Sequence, residues 1–285
     1  MGNYILYKIG IFLALHLPEK LVYTLAEIVS FCQYLISFKD RCAVRNNLKA
    51  ILPKATFLKR EYIVERVFAN FGKYLVDFFR FSLMTKGDIL KKVRLVNTQY
   101  FDEALKNKKG AVILTAHIGN WELGGAAIAA NGYPLLAIAL PHAESKVNDF
   151  FNRQREERGV KIVPIRKAAF ECLHALKNNT LVAILGDRDF TSAGIIVDFF
   201  GKPTLLPKGP AMLALKIGCP IIPGFSVMRD GYNLDVIFEK PLEFIKTGDI
   251  EEDIKEITKK FALRIEEYIR TYPEQWFMFR KFWQD

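Results

Sequence analysis

The stretch AVILTAHIGNWELGG, residues 111–125, places a histidine and a glutamate directly after an apolar run. The run from Ala111 to Ala116 is typical of a buried β-strand. Gly119 and Asn120 then indicate a turn and a helix N-cap, and the helix itself is predicted to begin at Trp121. The stretch therefore predicts a strand–turn–helix unit with polar side chains in the turn and in the first helical turn.

His117 and Glu122 lie five positions apart in this unit. In one continuous helix, five residues turn the chain by about 500°, so the two side chains would not meet. If His117 lies in the turn and Glu122 in the first helical turn, the carboxylate can reach back to the imidazole. We therefore predict that Glu122 orients His117 as a general base, and the alternative is a purely structural pair. The free N–H groups at the helix N-terminus can hold an oxyanion.

Apolar strand candidates recur along the chain, and helical patterns separate the first four of them. The candidates are residues 111–116, 135–140, 160–164, 181–186, 195–200, 220–228 and 233–238. Residues 1–85 have helical patterns, and residues 86–109 are predicted to form a basic connection with one short helix. We therefore expect an α/β fold with a mixed, largely parallel central sheet flanked by helices, and with an N-terminal helical layer.

The first 40 residues are apolar but are interrupted by charge. Only seven residues separate Lys8 from His16, far fewer than the roughly 20 apolar residues that span a bilayer. The next helix has apolar residues at alternating spacings of four and three: Leu21, Leu25, Ile28, Cys32 and Leu35. We predict that residues 1–40 are membrane-interacting helices that lie in the interface, and that residues 41–285 form the α/β domain. The alternative is that the N-terminal helices pack on the core.

The charge and the cysteine pattern limit the possible partners. Lys and Arg outnumber Asp and Glu by 41 to 31, which gives a net charge of +10 and favours anionic partners. A nucleic acid, an anionic membrane face, a phosphorylated glycolipid and an acidic carrier protein all qualify. Because no nucleic-acid-binding motif is recognisable, no nucleic acid is expected. The four cysteines are dispersed, so no metal site is expected. No cofactor is expected either.

Five further sequence segments carry recognisable patterns, one before the His117–Glu122 motif and four after it. They are RNNLKAILP (45–53), GDRDF (186–190), IIVDFFGKP (195–203), LPKGPAMLALKIGCPIIP (206–223) and PEQWFMFRKF (273–282). On the basis of these blocks together, the chain resembles the bacterial lipid A biosynthesis lauroyl/myristoyl acyltransferase family over roughly residues 40–283. That family is part of the glycerolipid acyltransferase superfamily, whose signature is His, four residues, then Asp or Glu. The same blocks are also similar to phosphatidylinositol mannoside acyltransferases, so the acceptor stays open.

The resemblance implies a glycerol-3-phosphate acyltransferase-like fold and a membrane-associated acyltransferase. The implied reaction moves a fatty acyl group from a thioester to a hydroxyl of a lipid A precursor. A phosphatidylinositol mannoside or another lysolipid is the alternative acceptor. The expected donor is an acylated acyl carrier protein rather than acyl-coenzyme A, and the expected location is the cytoplasmic face of the bacterial inner membrane, peripheral or monotopic. No acyl-enzyme is required, and the chain has no GxSxG motif.

Eight residues are candidates for substrate binding: Asn120, Trp121, Arg155, Asp187, Arg188, Asp189, Lys208 and Gly209. Arg188 follows a strand, where ligands bind in open α/β sheets, and a guanidinium can clamp a phosphate. Lys208 and Gly209 open the next helix, where backbone N–H groups favour anions. The resemblance implies a role for Arg155, and Trp121 either lines an acyl pocket or anchors its helix. The structural alternatives are a local turn and ion pair for the two aspartates, a solvated helix face for Arg155, and helix capping for Lys208.

Overall fold

The computed structural model of the chain describes residues 2–142, 144–229 and 233–283. Met1 of the predicted membrane-interacting segment lies outside the described residues. So do residues 143, 230–232 and 284–285 of the predicted α/β domain.

The helices and strands alternate from the end of the N-terminal layer onward. The α-helices are α1 (Gly2–His16), α2 (Glu19–Ile36), α3 (Phe38–Ile51), α4 (Phe57–Phe79), α5 (Lys86–Lys92), α6 (Gln99–Lys106), α7 (Trp121–Ala130), α8 (Ser145–Glu156), α9 (Ala168–Lys177), α10 (Gly209–Ile217) and α11 (Ile250–Thr271). The strands are β1 (Val93–Val96), β2 (Ala111–Thr115), β3 (Leu135–Ala139), β4 (Val160–Pro164), β5 (Leu181–Leu185), β6 (Ile195–Phe199), β7 (Lys202–Leu206), β8 (Ile221–Met228) and β9 (Leu234–Phe238).

Seven strands form one central sheet in the order β1-β9-β8-β2-β5-β3-β4. All neighbouring pairs are parallel except β8 and β9, which are antiparallel. The remaining two strands, β6 and β7, form a separate antiparallel hairpin. The prediction of a mixed, largely parallel sheet flanked by helices, with a helical N-terminus, is therefore confirmed.

The strand β2 lies near the middle of the sheet and is buried on both faces. Val112 and Leu114 pack into one hydrophobic cluster, whereas Ala111 and Ile113 pack into the other. Side chains alternate between the two faces of a strand, and helices cover both faces of a largely parallel sheet, so β2 needs apolar residues at every position. This explains why the stretch from Ala111 is continuously apolar.

Two strands fall where the sequence does not predict them. Strand β1 lies inside the predicted basic connection and pairs with β9 at the sheet edge. Strand β7 contains Pro203 and, among the described strands, pairs with β6 alone. Edge strands tolerate charge and proline because one side of their backbone needs no partner, so neither strand carries a strong apolar pattern.

The helices α1 and α2 pack on α4 through one face each. In α2, Val22, Tyr23 and Ser30 are buried. The apolar stripe of the same helix lies on the outer side, where Ile28 is 56% and Leu35 is 52% exposed. The predicted boundary between residues 40 and 41 lies inside α3. The prediction that this segment contacts a membrane stays a prediction.

Within the described ranges, no single helix is both long enough and apolar enough to cross a bilayer. The consecutive helices α2 and α3 meet that length and composition only when they are taken together, and they are bent by 89° at their junction.

Candidate active site

The register of β2 and β5 determines which polar residues meet at the carboxyl edge of the sheet. Thr115 at the end of β2 is level with Leu185 at the end of β5. His117 and Asp187 each lie two residues beyond these paired positions. Because the strands are parallel and adjacent, both side chains emerge at the same point of the edge, where ligands bind in open α/β sheets.

The carboxylate of Asp187 is completely buried and accepts three hydrogen bonds. Its Oδ1 lies 2.8 Å from Nδ1 of His117, and its Oδ2 accepts from the backbone N–H of His117 at 3.1 Å. The indole Nε1 of Trp276 donates to the same Oδ2 at 2.9 Å. Asp187 therefore fixes both the backbone and the ring of His117.

The charge state of Asp187 determines the tautomer of the ring. Burial raises the pKa of this carboxyl group, but the charge of His117 and the three donated hydrogen bonds lower it by more, so the pKa falls below its ordinary value. An ionised carboxylate can only accept hydrogen bonds, so Nδ1 of His117 must carry the proton. In the neutral ring, Nε2 is then the basic nitrogen. Within the described part of the chain, Nε2 has no hydrogen-bond partner.

The predicted partner of His117 was wrong. Glu122 lies in the first turn of α7, but its carboxylate forms two hydrogen bonds with Arg155 of α8, at 2.9 and 2.6 Å. A guanidinium binds a carboxylate through a bidentate, charge-assisted pair of hydrogen bonds, which is stronger than a single hydrogen bond to a ring nitrogen. Nδ1 of His117 is also already bound to Asp187. Asp187, and not Glu122, is therefore the carboxylate that contacts His117.

Arg155 was predicted to bind substrate, but in the structure its guanidinium binds other side chains of the protein. Besides Glu122, it contacts the faces of Phe78 and Phe151, with 5.9 and 5.7 Å to the ring centroids. The side chains of Arg155 and Glu122 are only 14% and 10% exposed. The pair joins α7 to α8, so Arg155 does not lie on the solvated helix face considered as an alternative.

Asn120 confirms the predicted N-cap of α7, and it is buried. Its side-chain oxygen accepts from the N–H of Leu123 at 3.0 Å, and its amide nitrogen donates to Asp77 at 2.9 Å. The side chain is 1% exposed. Asp77 in α4 also binds Tyr23 of α2 and Lys92 at the end of α5. This buried network connects the N-terminal helices to the start of α7.

Trp121 lies directly beside the imidazole. Its ring meets the ring of His117 edge-on, with centroids 5.1 Å apart, and stacks on Tyr74 at 4.6 Å. The side chain thus anchors α7 and also lies next to the ring of His117. Its contact with an acyl chain stays a prediction.

The turn between His117 and α7 is held by the C-terminal tail. Gly119 donates to the backbone oxygen of Gln275 at 2.9 Å, and Phe277 donates to the backbone oxygen of His117 at 3.0 Å. The amide side chain of Gln275 also forms two hydrogen bonds with the backbone of Met228 at the end of β8. The tail therefore joins the catalytic turn to the neighbouring strand.

Gly119 is the residue in this turn that permits no side chain. Its φ is +58°, and a Cβ atom would lie 2.0 Å from the backbone oxygen of Ser226. Gly132, just after α7, has φ +91° and no atom within 4 Å of the place that a Cβ atom would take, so it is a matched comparison. Both positions strain a non-glycine residue, but only Gly119 adds a collision.

We expect Gly119→Ala to lose more stability than Gly132→Ala and also to lose activity. Left-handed backbone strain costs about 1–2 kcal/mol in either variant, and the collision at Gly119 additionally displaces the turn that carries His117. Urea unfolding and turnover of both variants test this. Equal losses in the two variants would contradict a constrained catalytic turn.

The residues after β5 line a separate pocket of about 500 Å³. Arg188 and Asp189 form one wall, β7 forms another, and Arg280 with Trp283 completes it. Asp189 accepts hydrogen bonds from the backbone N–H and the hydroxyl of Thr191, so the turn considered as an alternative is present. Lys208 and Gly209 lie at the start of α10, as predicted, and are not among the lining residues of this pocket.

Several residues of this region were not predicted as functional. Trp276 and Gln275 belong to the C-terminal block, and their contacts with Asp187 and the catalytic turn depend on a chain reversal after α11 that no local pattern reveals. Asp187 was predicted to contact substrate and is instead fully buried behind His117. Within the described ranges, no group of three or more His, Cys, Asp or Glu side chains is arranged to hold a metal ion.

A histidine with a carboxylate on Nδ1 thus lies at the carboxyl edge of the α/β sheet, an arrangement suited to general-base catalysis. The model of the bacterial lipid A biosynthesis acyltransferase family matches residues 2–285. The chain belongs to this family, and it is a lipid acyltransferase.

Curated relatives agree on the reaction class and differ in their named acceptors. The chain is 28% identical over 245 residues to a phosphatidylinositol mannoside acyltransferase of Mycolicibacterium smegmatis, covering 84% of this chain and 78% of the relative. It is 27% identical over 247 residues to the protein of the same name from Mycobacterium tuberculosis H37Rv, covering 84% and 76%. A lipid A biosynthesis acyltransferase of Haemophilus influenzae is 20% identical over 242 residues, covering 84% and 74%.

Proposed function

We propose that this enzyme transfers a fatty acyl group from a thioester to a hydroxyl of an anionic glycolipid, with His117 as the general base. The observation that carries the proposal is the pair of His117 and Asp187, in which the bound carboxylate leaves Nε2 unprotonated in the neutral ring. An alcohol is a poor nucleophile at neutral pH, and removal of its proton during attack is the help that such a nitrogen supplies.

The proposed proton transfers balance over the two halves of the reaction. The acceptor oxygen attacks the thioester carbonyl while its proton passes to Nε2 of His117. The tetrahedral intermediate then expels the thiolate, which takes the same proton back from the imidazolium. Asp187 stabilises the imidazolium between the two steps, since its carboxylate lies 2.8 Å from Nδ1. We further propose that the first turn of α7, beginning at Trp121, holds the oxyanion through its free N–H groups.

The proposed acceptor is a lipid A precursor, because the family match extends over residues 2–285. A phosphatidylinositol mannoside is the second candidate, since the relatives of that name are 27–28% identical to this chain, compared with 20% for the lipid A relative. We propose an acylated acyl carrier protein as the donor in preference to acyl-coenzyme A. Carrier proteins are acidic, and the net charge of +10 favours their approach.

Product analysis with purified enzyme tests the acceptor and the donor together. Lipid A precursors, mannosides and lysophospholipids are each incubated with acyl carrier protein and coenzyme A thioesters, and the lipids are analysed by mass spectrometry. We expect one acyl mass to be added to a lipid A precursor with the carrier-protein donor. Acylation of mannosides alone would support the second candidate, and acylation of none would contradict the proposed acceptor class.

We also propose that α1 and α2 attach the enzyme to the cytoplasmic face of the inner membrane, without spanning it. The exposed large apolar side chains of these helices support attachment: Leu6, Ile9 and Phe12 in α1, and Leu21, Ile28, Val29, Phe31, Leu35 and Ile36 in α2. A helix with one face buried in the protein and the other face apolar is suited to the membrane interface.

Ile28→Glu is expected to weaken sedimentation with anionic phospholipid vesicles severalfold or more, while leaving the melting temperature unchanged. The side chain is 56% exposed, so the change removes apolar area from the membrane contact and not from the core. The matched control is Ile245→Glu, because Ile245 is 84% exposed between β9 and α11. Equal binding by both variants and the wild type would contradict attachment through α2.

A further inference from the structure

We propose that Asp77 of α4 is a positioning residue for acyl transfer, which holds the catalytic turn through Asn120 and holds α2 through the same carboxylate. The inference rests on the proposed function, in which His117 acts as the general base from that turn. It makes the N-terminal helices part of the framework that catalysis needs, and not only a means of attachment to a membrane.

The carboxylate of Asp77 lies where four helices meet, and the residue is 7% exposed. Its Oδ2 accepts a hydrogen bond from the side-chain amide of Asn120, the N-cap of α7, at 2.9 Å. Its Oδ1 accepts from Nζ of Lys92, the last residue of α5, at 2.7 Å, and from the hydroxyl of Tyr23 in α2. A change at this one carboxylate therefore acts on α2, α4, α5 and α7 together.

Asp77 determines which way the amide of Asn120 faces. A carboxylate accepts hydrogen bonds, so the NH2 group of Asn120 must face Asp77 and its oxygen must face away. That oxygen accepts the N–H of Leu123 at 3.0 Å, which caps α7. Because Asn120 is 1% exposed, solvent has almost no access to replace either partner. The carboxylate thus holds the start of α7 in one arrangement.

The start of α7 completes the support of the catalytic turn. Asp187 and the C-terminal tail bind the backbone of His117 and Gly119. Asn120 follows three residues after His117, where the turn becomes the helix. The first N–H groups of α7 are those proposed to hold the oxyanion, so a shift of the cap would misplace them relative to Nε2 of His117. Misplacement by about 1 Å can lower a rate about 100-fold.

The other oxygen of Asp77 connects this support to α2. Burial and the negative charge of Asp77 raise the pKa of Tyr23 well above its ordinary value, so the hydroxyl stays protonated and donates. Nζ of Lys92 donates to the same hydroxyl at 2.7 Å and to Glu19 of α2 at 3.0 Å. Tyr23 is 1% exposed, whereas Ile28 of the same helix is 56% exposed. The inner face of α2 therefore binds the carboxylate that holds Asn120, while its outer face stays free for a membrane.

Asp77→Asn tests the positioning role, because the amide keeps the shape of the carboxylate but removes its charge. We expect kcat to fall by about 10- to 100-fold, with smaller changes in KM for acceptor and donor. Turnover is measured at a temperature at which thermal unfolding shows every variant to be folded. A wild-type kcat in Asp77→Asn would overturn the proposal.

Asp253→Asn is the matched control. Asp253 is 5% exposed and accepts hydrogen bonds from the backbone N–H and the hydroxyl of Thr247, just before α11. This segment contacts the opposite edge of the sheet, where Leu242 donates to the backbone oxygen of Ile221 at the start of β8. We expect the control to lose melting temperature but to keep its kcat. Equal losses of kcat in the control and in Asp77→Asn would indicate a general effect of removing a buried carboxylate and would overturn the positioning role.

Exchange of the two side chains separates positioning from loss of packing. Asn120→Asp alone places two carboxylates against each other, whereas Asp77→Asn combined with Asn120→Asp restores one donor and one acceptor and keeps a good N-cap residue. We expect the double variant to have a higher kcat than either single variant. Losses that simply multiply in the double variant would contradict the coupling of Asp77 to Asn120.

Tyr23→Phe tests the connection to α2 with detergent-solubilised substrates. The change removes the hydroxyl from Asp77 and leaves the outer face of α2 intact, so we expect a severalfold lower kcat and unchanged sedimentation with vesicles. An unchanged kcat would overturn the part of the proposal that concerns α2. A wild type that acylates nothing, or a His117→Ala variant with wild-type kcat, would instead contradict the proposed function.

Discussion

His117→Ala is expected to lower kcat by about 10²–10⁴ while the protein remains folded. The side chain is 19% exposed and belongs to neither hydrophobic cluster of the core, so its removal leaves both clusters intact. Asp187 would keep its hydrogen bonds from the backbone N–H of residue 117 and from Trp276. Steady-state turnover is measured together with thermal unfolding.

The conservative variant His117→Gln separates chemistry from packing. A glutamine side chain fills much of the same space and can donate a hydrogen bond to Asp187, but it cannot accept the proton of the acceptor hydroxyl. We expect its turnover to be as low as that of His117→Ala and its melting temperature to be close to that of the wild type. Loss of melting temperature in proportion to activity, in both variants, would indicate a structural histidine.

Asp187→Asn is the second change with a large expected effect, a loss of about 10²–10⁴ in kcat. The amide has nearly the same shape as the carboxylate, so packing is retained. It carries no charge to stabilise the imidazolium, however, and its NH2 group can bind Nδ1 as a donor. The ring would then carry its proton on Nε2, where it cannot act as a base. We measure kcat and KM for both substrates.

Glu122→Gln is the matched comparison, because it makes the same chemical change in the other carboxylate near the histidine. Glu122 binds Arg155 and not His117, so the change leaves a mostly buried guanidinium without its counter-charge. We expect a loss of stability of about 3 kcal/mol and a smaller loss of kcat than in Asp187→Asn. The reverse order of the two kcat losses would restore Glu122 as the orienting residue.

The strand–turn–helix unit was predictable because its signals are local. A buried strand requires a continuous apolar run, the left-handed backbone at Gly119 favours glycine, and Asn120 caps α7 through its own side chain. Each of these features depends on residues within the unit or on general packing rules. The position of His117 at the sheet edge follows directly from them.

The partner of His117 was not predictable in the same way. His117 and Asp187 both lie just beyond apolar strands, but they are seventy positions apart, and the strands β3, β4 and β5 lie between them in sequence. Only the strand order, in which β5 rather than β3 lies beside β2, brings them together. Glu122 was the nearest carboxylate in sequence, and proximity in sequence favoured it over the residue that is nearest in space.

The C-terminal tail illustrates a second limit of sequence reasoning. Trp276 and Arg280 lie far from the catalytic motif in sequence, so a structural role is the natural prediction for both. The buried amides of Asn47 and Asn70 bind the backbone of this tail from α3 and α4, so the tail runs along the site. A buried asparagine in an amphipathic helix was the available signal, since buried amides require partners, but its partner segment could not be named without the fold.

The most direct test of the central claim is the tautomer of His117, measured by 15N NMR at a pH where the ring is neutral, with His117→Gln used to assign the signal. If Asp187 orients the general base, Nδ1 of His117 carries the proton in the wild type and in Glu122→Gln, and the signal shifts toward the Nε2–H form in Asp187→Asn. A wild-type ring protonated on Nε2, or a tautomer that Asp187→Asn leaves unchanged, would contradict the account.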